Sequence, residues 1–394
     1  MSLSVCLIAK DEERNVSRAL QSVAGAADEI ILADTGSSDG TKETARKLGA
    51  VVCDFPWVDD FAAARNHALD QARCDWILWL DADEELLPES RDALRRCLRR
   101  TDALGFLVLR QDLQGAGSPD CFTEMWQLRL FRRRPDLRFA GRCHPDFRPP
   151  LNETAAAEGK RVYQSAIRLR HHGYLEELKA SKLRRAARLL KLELEDRPGQ
   201  LYYQIEYGRT LLSLGDAQGH AVLKLATRAV HARRNEATAP MPLAASLLEY
   251  LLLSPRALTD SPWTVEELHA LAQRWFPASA PLMWIRAQFH FQRGDFDTAS
   301  RLLERLIHLG STRTYDKSIS FDPRIVGDDP RLNLAVCHIR LGRLDRAEPL
   351  LQALLNSPAV GAQARQNLSA VLELQQRFRQ GTTRPADGND GGNT

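Results

Sequence analysis

Short apolar runs and helically spaced apolar positions alternate over the first 175 residues. Leu3 to Ala9 reads as a buried strand, and Val16, Ala19, Leu20 and Val23 follow on one helical face. Glu29 to Asp34 is a second strand and Thr41 to Leu48 a second helix. Ala50 to Phe55 is a third strand, and Asp60 is placed to cap a helix carrying Ala62 to Ala72. Trp76 to Leu80 is a fourth strand running into Asp81, and Pro88 suits the first turn of a helix reaching about Arg100. This alternation predicts right-handed crossovers and a mainly parallel sheet. Three more strands are expected at Leu104 to Leu113, at Glu124 to Phe131 with Trp126, Leu128 and Leu130 on one face, and at Val162 to Arg170 before His171 and His172.

From residue 176 the pattern is helical. Three segments are alike: YGRTLLSLGDAQGHA (207–221), AQFHFQRGDFDTA (287–299) and AVCHIRLGRLDRA (335–347). Each has a helix, a glycine turn at Gly215, Gly294 or Gly342, and an alanine opening the next helix. They resemble degenerate tetratricopeptide repeats, and such helix pairs stack to bury one continuous core. The expected organisation is an α/β domain over 1–175, an all-α repeat domain over 176–380, and a disordered Gly-, Asn- and Asp-rich tail over 381–394.

Composition narrows the function classes. A net charge of +3 does not call for nucleic acid as a partner. No run of eighteen apolar residues is present, so no membrane span is expected. The opening MSLSVCLIAKDEE lacks a basic leader, and seven scattered cysteines without a CxxC pair read as reduced thiols. Together these point to a cytoplasmic protein. From Lys160 to Lys191 ten Lys and Arg face only Glu176 and Glu177. That run is either a solvated helix face or a basic surface beside a nucleotide or an acidic partner.

The candidate chemistry lies where the parallel strands end, which is where open sheets of this kind bind ligands. Those ends carry Lys10-Asp11-Glu12-Glu13, Asp34 with TGSSDGT, Asp54, and Asp81-Ala82-Asp83-Glu84. Crowded carboxylates repel, and a cation is the simplest remedy. In extended backbone Asp81 and Asp83 point the same way, and two such carboxylates suit Mg²⁺ or Mn²⁺ carrying a diphosphate. A dinucleotide site would need a glycine-rich first turn, whereas this chain has Ala9-Lys10-Asp11-Glu12-Glu13. GSSDG at 36–40 lacks a P-loop lysine.

Four blocks, SVCLIAKDEERNVSRALQSV, EIILADTGSSDGT, FPWVDDFAAARNHAL and DWILWLDADEEL, resemble glycosyltransferase family 2 in order and spacing over residues 2–87. Looser similarity continues to about residue 175 through LRLFRRRPDLRFAGRCH and IRLRHHGY. The resemblance implies a GT-A fold, a nucleotide-diphosphate sugar donor (a UDP-sugar above all), a divalent metal (Mn or Mg) and inversion at the anomeric carbon. By position it implies that Ala9, Glu12 and Asp34 line the nucleotide pocket, and that Asp60, Arg65 and Asn66 belong to the nucleotide-sugar site, Arg65 near the diphosphate or supporting the Asp81-Ala82-Asp83 loop. It also implies that Asp81 and Asp83 hold donor and metal, with His171 as a further metal contact and His144 as its alternative. Related sequences often read His-Glu where this chain has His144-Pro145-Asp146, so the catalytic base falls to Asp146 or Glu124. The appended repeats resemble those of a bacterial subgroup, and are expected to recruit a protein, peptide or glycan acceptor or to mediate self-association. The rival readings are a repeat scaffold with an inactive glycosyltransferase-like domain, and a sugar nucleotidyltransferase. The acids of the first turn disfavour the latter, which wants a glycine-rich basic loop there.

Overall fold

The computed structural model describes residues 1–113, 122–172 and 176–381. The expected boundary at residue 175 and the tail beyond Gly381 lie outside these residues.

Among the described residues ten strands are formed: β1 (Leu3–Ala9), β2 (Glu29–Asp34), β3 (Val51–Asp54), β4 (Trp76–Trp79), β5 (Glu84–Leu86), β6 (Ala103–Leu113), β7 (Phe122–Arg132), β8 (Phe139–Ala140), β9 (Asp146–Phe147) and β10 (Arg161–His171). Helices α1 (Glu13–Val23), α2 (Thr41–Lys47), α3 (Phe61–Gln71), α4 (Arg91–Leu98) and α5 (Leu151–Ala157) are interspersed. Eight strands make one sheet in the order β3-β2-β1-β4-β7-β6-β10-β5, and β8 pairs with β9 in a separate hairpin. Strands β1 to β4 are mutually parallel, as the pattern predicts. The far half is mixed rather than parallel, because β7 runs against both β4 and β6, and β5 against β10. Strand β4 stops at Trp79, two residues before Asp81. The chain then folds back at once into β5, a three-residue strand too short to leave a periodic signal.

Trp76, Ile77, Leu78 and Trp79 are wholly buried. Removing such side chains from water stabilises by about 1.5–3 kcal/mol each, so this strand fixes where Asp81 emerges. On one side of the sheet α1 and α4 bury Val16, Leu20 and Leu94 against it; on the other, α3 and the β8–β9 hairpin bury Ala68, Phe139 and Phe147.

The helical half comprises α6 (Glu176–Asp196), α7 (Leu201–Ser213), α8 (Gln218–Ala232), α9 (Ala244–Leu253), α10 (Pro255–Thr259), α11 (Val265–Trp275), α12 (Ala280–Gln292), α13 (Phe296–Thr312), α14 (Asp328–Arg340), α15 (Leu344–Ala353) and α16 (Gly361–Gly381). The three look-alike segments are the pairs α7–α8, α12–α13 and α14–α15. Gly294 and Gly342 turn the latter two at φ +78° and +71°, where a Cβ is disfavoured. Apolar faces left by one pair are covered by the next element, so Leu303 and Leu306 pack toward Leu334, and Ala347 and Leu351 pack toward Val371 of α16.

Among the described residues the halves meet in several places, two of them apart from the strand ends. Helices α6 and α7 pack on the segment around Cys143, where Leu189, Leu190 and Tyr203 bury that thiol. A strap between α13 and α14 lies along β7, where the Trp126 amide donates to the Lys317 carbonyl at 2.9 Å.

Candidate functional site

Asp81 leaves β4 in a closed turn: its amide donates to Glu84 Oε2 at 3.0 Å, and the Glu84 amide donates back to its carbonyl at 3.0 Å. The Asp81 carboxylate faces arginines. Oδ2 meets Arg129 at 2.7 Å, while Oδ1 accepts from the Trp79 indole at 3.1 Å and lies 3.5 Å from Arg65. Arg129 also reaches Glu84 at 2.8 Å, and Arg110 stands 3.9 Å from the same carboxylate. Burial alone would raise the Asp81 carboxyl, but Arg129 and Arg65 outweigh it and hold the group well below the carboxylate range. Glu84, wholly buried, is pushed up by that burial.

Asp83 is arranged differently. Its Oδ2 lies 3.3 Å from His171 Nε2 and 3.8 Å from Lys182 Nζ of α6. The other ring nitrogen of His171, Nδ1, lies 2.8 Å from Asp112 Oδ1, and Asp112 is anchored by Arg110 at 2.9 Å. Burial disfavours the imidazolium, but Asp112 and Asp83 outweigh it and carry His171 up to about 9. The same pairing pulls Asp83 down against its burial.

Asp81, Asp83 and His171 therefore do not converge as three ligands. Among the described residues no group of three His, Cys, Asp or Glu is set to hold a metal ion. The physical reason is that the Asp81 carboxylate turns to the guanidinium groups of Arg129 and Arg65. Asp83 and His171 remain as a pair, and the pair is built like a metal half-site. A carboxylate behind Nδ1 fixes the tautomer that leaves Nε2 for a ligand bond, directed to the side where Asp83 stands.

The first and second strand ends carry the other expected nucleotide-site residues. Asp34 is buried; its Oδ1 accepts from the amides of Gly36 at 3.0 Å and Ser37 at 2.9 Å, but its Oδ2 is buried with no hydrogen-bond partner among the described residues. Such an orphan acceptor is costly unless something donates to it. The Ala9 carbonyl is taken by Thr35, whose amide donates at 2.9 Å. Glu12 accepts from Asn15 at 2.8 Å, and burial, with Asp83 nearby, pushes its carboxyl up. Arg65 stacks over Trp79 and Phe139, 4.7 and 5.1 Å from the ring centroids.

Three expected site residues are placed otherwise. Asp60 caps α3, accepting from the Ala63 amide at 3.0 Å. Asn66 donates from Nδ2 to the Phe139 carbonyl and accepts at Oδ1 from the Phe139 amide, both at 2.9 Å, so it staples α3 to β8. Glu124 is buried under the strap, bonded to Lys317 at 2.9 Å, to Tyr315 at 3.0 Å and to Gln111 at 3.3 Å. Although burial opposes it, Lys317 and Tyr315 hold this carboxyl below its ordinary range, which makes it a poor proton acceptor. Asp146 stands exposed on β9, with Oδ1 accepting from the Phe147 amide at 2.7 Å.

The pattern missed Arg129, Arg110, Asp112 and Lys182. The first three carried a signal, since charges at alternate positions of otherwise apolar strands point into one face. Lys182 belongs to the basic run, and so do Arg185, stacked 5.6 Å from the Phe61 ring centroid, and Arg188, paired with Asp59. That run therefore includes a face turned toward Asp83, Asp59 and Phe61.

Residues 4–137 match the family described as Glycosyl transferase family 2, and residues 280–305 and 330–353 match Tetratricopeptide repeat. A TPR repeat-containing protein of Synechococcus elongatus is 33% identical over 276 residues, which are 69% of this chain and 66% of that protein. An uncharacterized glycosyltransferase of Rickettsia typhi is 38% identical over 92 residues, 23% of this chain and 31% of that one. This chain thus spans just under two thirds of the first relative and about a third of the second. A solved mannosyltransferase of Pyrobaculum calidifontis, in complex with GDP-Man and Mn²⁺, aligns over 68% of this chain and 85% of its own at 18% identity and a TM-score of 0.37.

Proposed function

We propose, from the premise that this chain belongs to glycosyltransferase family 2, with a GT-A domain and appended tetratricopeptide repeats, that it moves a sugar from a nucleoside diphosphate to an acceptor with inversion. The observation that carries this reading is the contrast between Asp81, neutralised by Arg129 and Arg65, and Asp83, which faces His171 with a carboxylate behind that ring.

Asp83 and His171 would hold a divalent cation, with the donor's phosphate oxygens completing its shell. That ion supplies charge neutralisation on the departing diphosphate. The remaining work belongs to the chain. Asp34 offers its unpartnered Oδ2 to an N–H or O–H of the nucleoside. Arg65, held over Trp79 and Phe139, presents a fixed positive charge beside Asp81. Lys182 adds a second cation from the repeat half. The acceptor's nucleophile attacks C1 of the sugar opposite the leaving phosphate, its proton passes to a base, and the C1–O electron pair leaves with the diphosphate. The acceptor enters between the β8–β9 region and α7, so a peptide or glycan held by the repeats would reach it.

A mass-spectrometric screen of UDP- and GDP-sugars for Mn²⁺-dependent release of the nucleoside diphosphate tests this reading. Release from at least one donor, abolished by chelation, is expected. No release from any, together with no binding of UDP or GDP, would contradict it and favour a scaffold.

A further inference from the structure

The segment Phe139–His144 is held from two sides. On the sheet side Asn66 grips the Phe139 backbone, and the Phe61 amide donates to the Arg142 carbonyl at 3.0 Å. Both residues belong to α3, the helix that presents Arg65 to Asp81. On the repeat side the Arg142 amide donates to Glu193 at 2.8 Å, and its guanidinium pairs with Asp196 at 2.7 Å. Gly141 sits at φ +111°, and a Cβ there would run into the Tyr203 hydroxyl of α7. The next side chain but two, His144, is itself at φ +49°, a left-handed conformation unusual outside glycine. A close fit between the halves thus holds a histidine in a disfavoured backbone shape, with 48% of its side chain exposed. Its Nε2 lies 3.7 Å from Glu206 of α7, and the ring is 6.5 Å from that of Tyr202.

We propose that His144 is the catalytic base of the transfer and that Glu206, contributed by the repeat half, is its positioning residue. The inference rests on the sugar-transfer reading above. Glu124 is consumed by the strap, and Asp146 holds its Oδ1 against the Phe147 amide, whereas His144 lies beside Glu206. Glu206, 3.7 Å from Nε2 and so beyond direct hydrogen-bond reach, acts on the ring through its charge, and Nδ1 is the nitrogen left for the acceptor. As the acceptor's oxygen, nitrogen or sulfur bonds to C1, its proton moves to Nδ1, and the C1–O bond electrons leave on the nucleoside diphosphate. His144 becomes imidazolium facing Glu206, and a later loss of that proton to water resets it. The charges facing His144 are Glu206 and Arg209 from α7, Arg65 from α3 and Arg110 from β6. Packing lowers its proton affinity, Glu206 raises it, and the three arginines lower it further, so the ring is neutral at pH 7 and free to accept.

The test uses the full chain with UDP-glucose, UDP-N-acetylglucosamine and GDP-mannose, Mn²⁺, and nucleoside diphosphate release as the rate. Asn tolerates the left-handed backbone, so His144→Asn is the variant of choice. It is expected to lose about 100-fold or more of turnover while binding UDP and Mn²⁺ as wild type does. Asp146→Asn is expected to stay within about threefold of wild type, a change too small for loss of a base. In Glu206→Gln the His144 ring titration, followed by NMR, is expected to shift to lower pH, with the acidic limb of kcat/KM moving alongside. Wild-type turnover in His144→Asn, or an unmoved His144 titration in Glu206→Gln, overturns the dyad. Absence of both turnover and nucleotide binding in the wild type overturns sugar transfer itself, which is a separate outcome.

Discussion

Arg129 holds Asp81 at 2.7 Å from inside the sheet, and with that contact the first aspartate of the Asp81-Ala82-Asp83 turn is neutralised by protein. Arg129 is itself buried and shared with Glu84 at 2.8 Å. Replacing it with Met would leave Asp81 and Glu84 with only the longer contacts of Arg65 at 3.5 Å and Arg110 at 3.9 Å. A loss of about 3–5 kcal/mol is expected, the range for breaking a buried pair by removing one partner. Urea unfolding measures it, and a loss below 1 kcal/mol would show that Asp81 finds its compensation elsewhere.

His171 gives a pH prediction. Its folded value of about 9 lies above the ordinary 6.5, so its pairing with Asp112 and Asp83 stabilises the metal-free fold fully below pH 6.5 and is lost as pH rises through 9. A metal ligand must shed that proton. Mn²⁺ affinity in the presence of UDP is therefore expected to rise between pH 7 and 9, approaching about tenfold per unit for one released proton. Calorimetry in two buffers of different ionisation enthalpy counts the proton. Pairs such as Ser2 with Asp75 at the opposite end of β1 play no part in this slope.

Glu249, on α9, tests the repeat half separately. Burial pushes its carboxyl up to about 7, against a weaker pull from Arg209. The folded state therefore favours the protonated form, and the resulting stability is present below pH 4.5 and lost as pH rises through 7. Glu249→Gln is expected to raise Tm at pH 8 by about 2–4 °C, the effect of 1 kcal/mol in a domain of this size. At pH 5 the change should nearly vanish. A uniform shift at both values would assign the effect to packing.

The strap offers a double-mutant cycle. Lys317 and Tyr315 converge on Glu124 across 191 residues of chain. Lys317→Met and Glu124→Gln are expected to destabilise singly, with a coupling energy of about 1 kcal/mol or more. Scanning calorimetry should also show the two halves unfolding less cooperatively in either variant. Purely additive effects would mean that the contact does not couple them.

These residues also mark what the sequence makes legible. Local signals placed β1 to β4, the Asp60 cap and the Asp34 turn, because each depends on neighbours within a few positions. WILWL announced its own burial and so where Asp81 would appear. Arg129, Arg110 and Asp112 were passed over because apolar alternation draws attention to the buried face of a strand, while its charged positions define the site. Asp81 is paired with arginines from α3 and β7, since crowded acids can be neutralised by elements distant in sequence. Glu206 and the strap were beyond reach for a different reason. Their partners lie on the other half of the chain, and no periodicity encodes which helix face meets which strand edge.

The central claim is that Asp83 and His171 hold a divalent ion together with a nucleoside diphosphate. Titrating UDP into the full chain with Mn²⁺, for wild type, Asp83→Ala and His171→Ala, tests it most directly. Expected is Mn²⁺-dependent binding in the wild type and its loss in both variants, while Asp81 stays paired with Arg129 and the unfolding temperature falls only slightly. Undiminished Mn²⁺-dependent UDP binding by Asp83→Ala would contradict the claim.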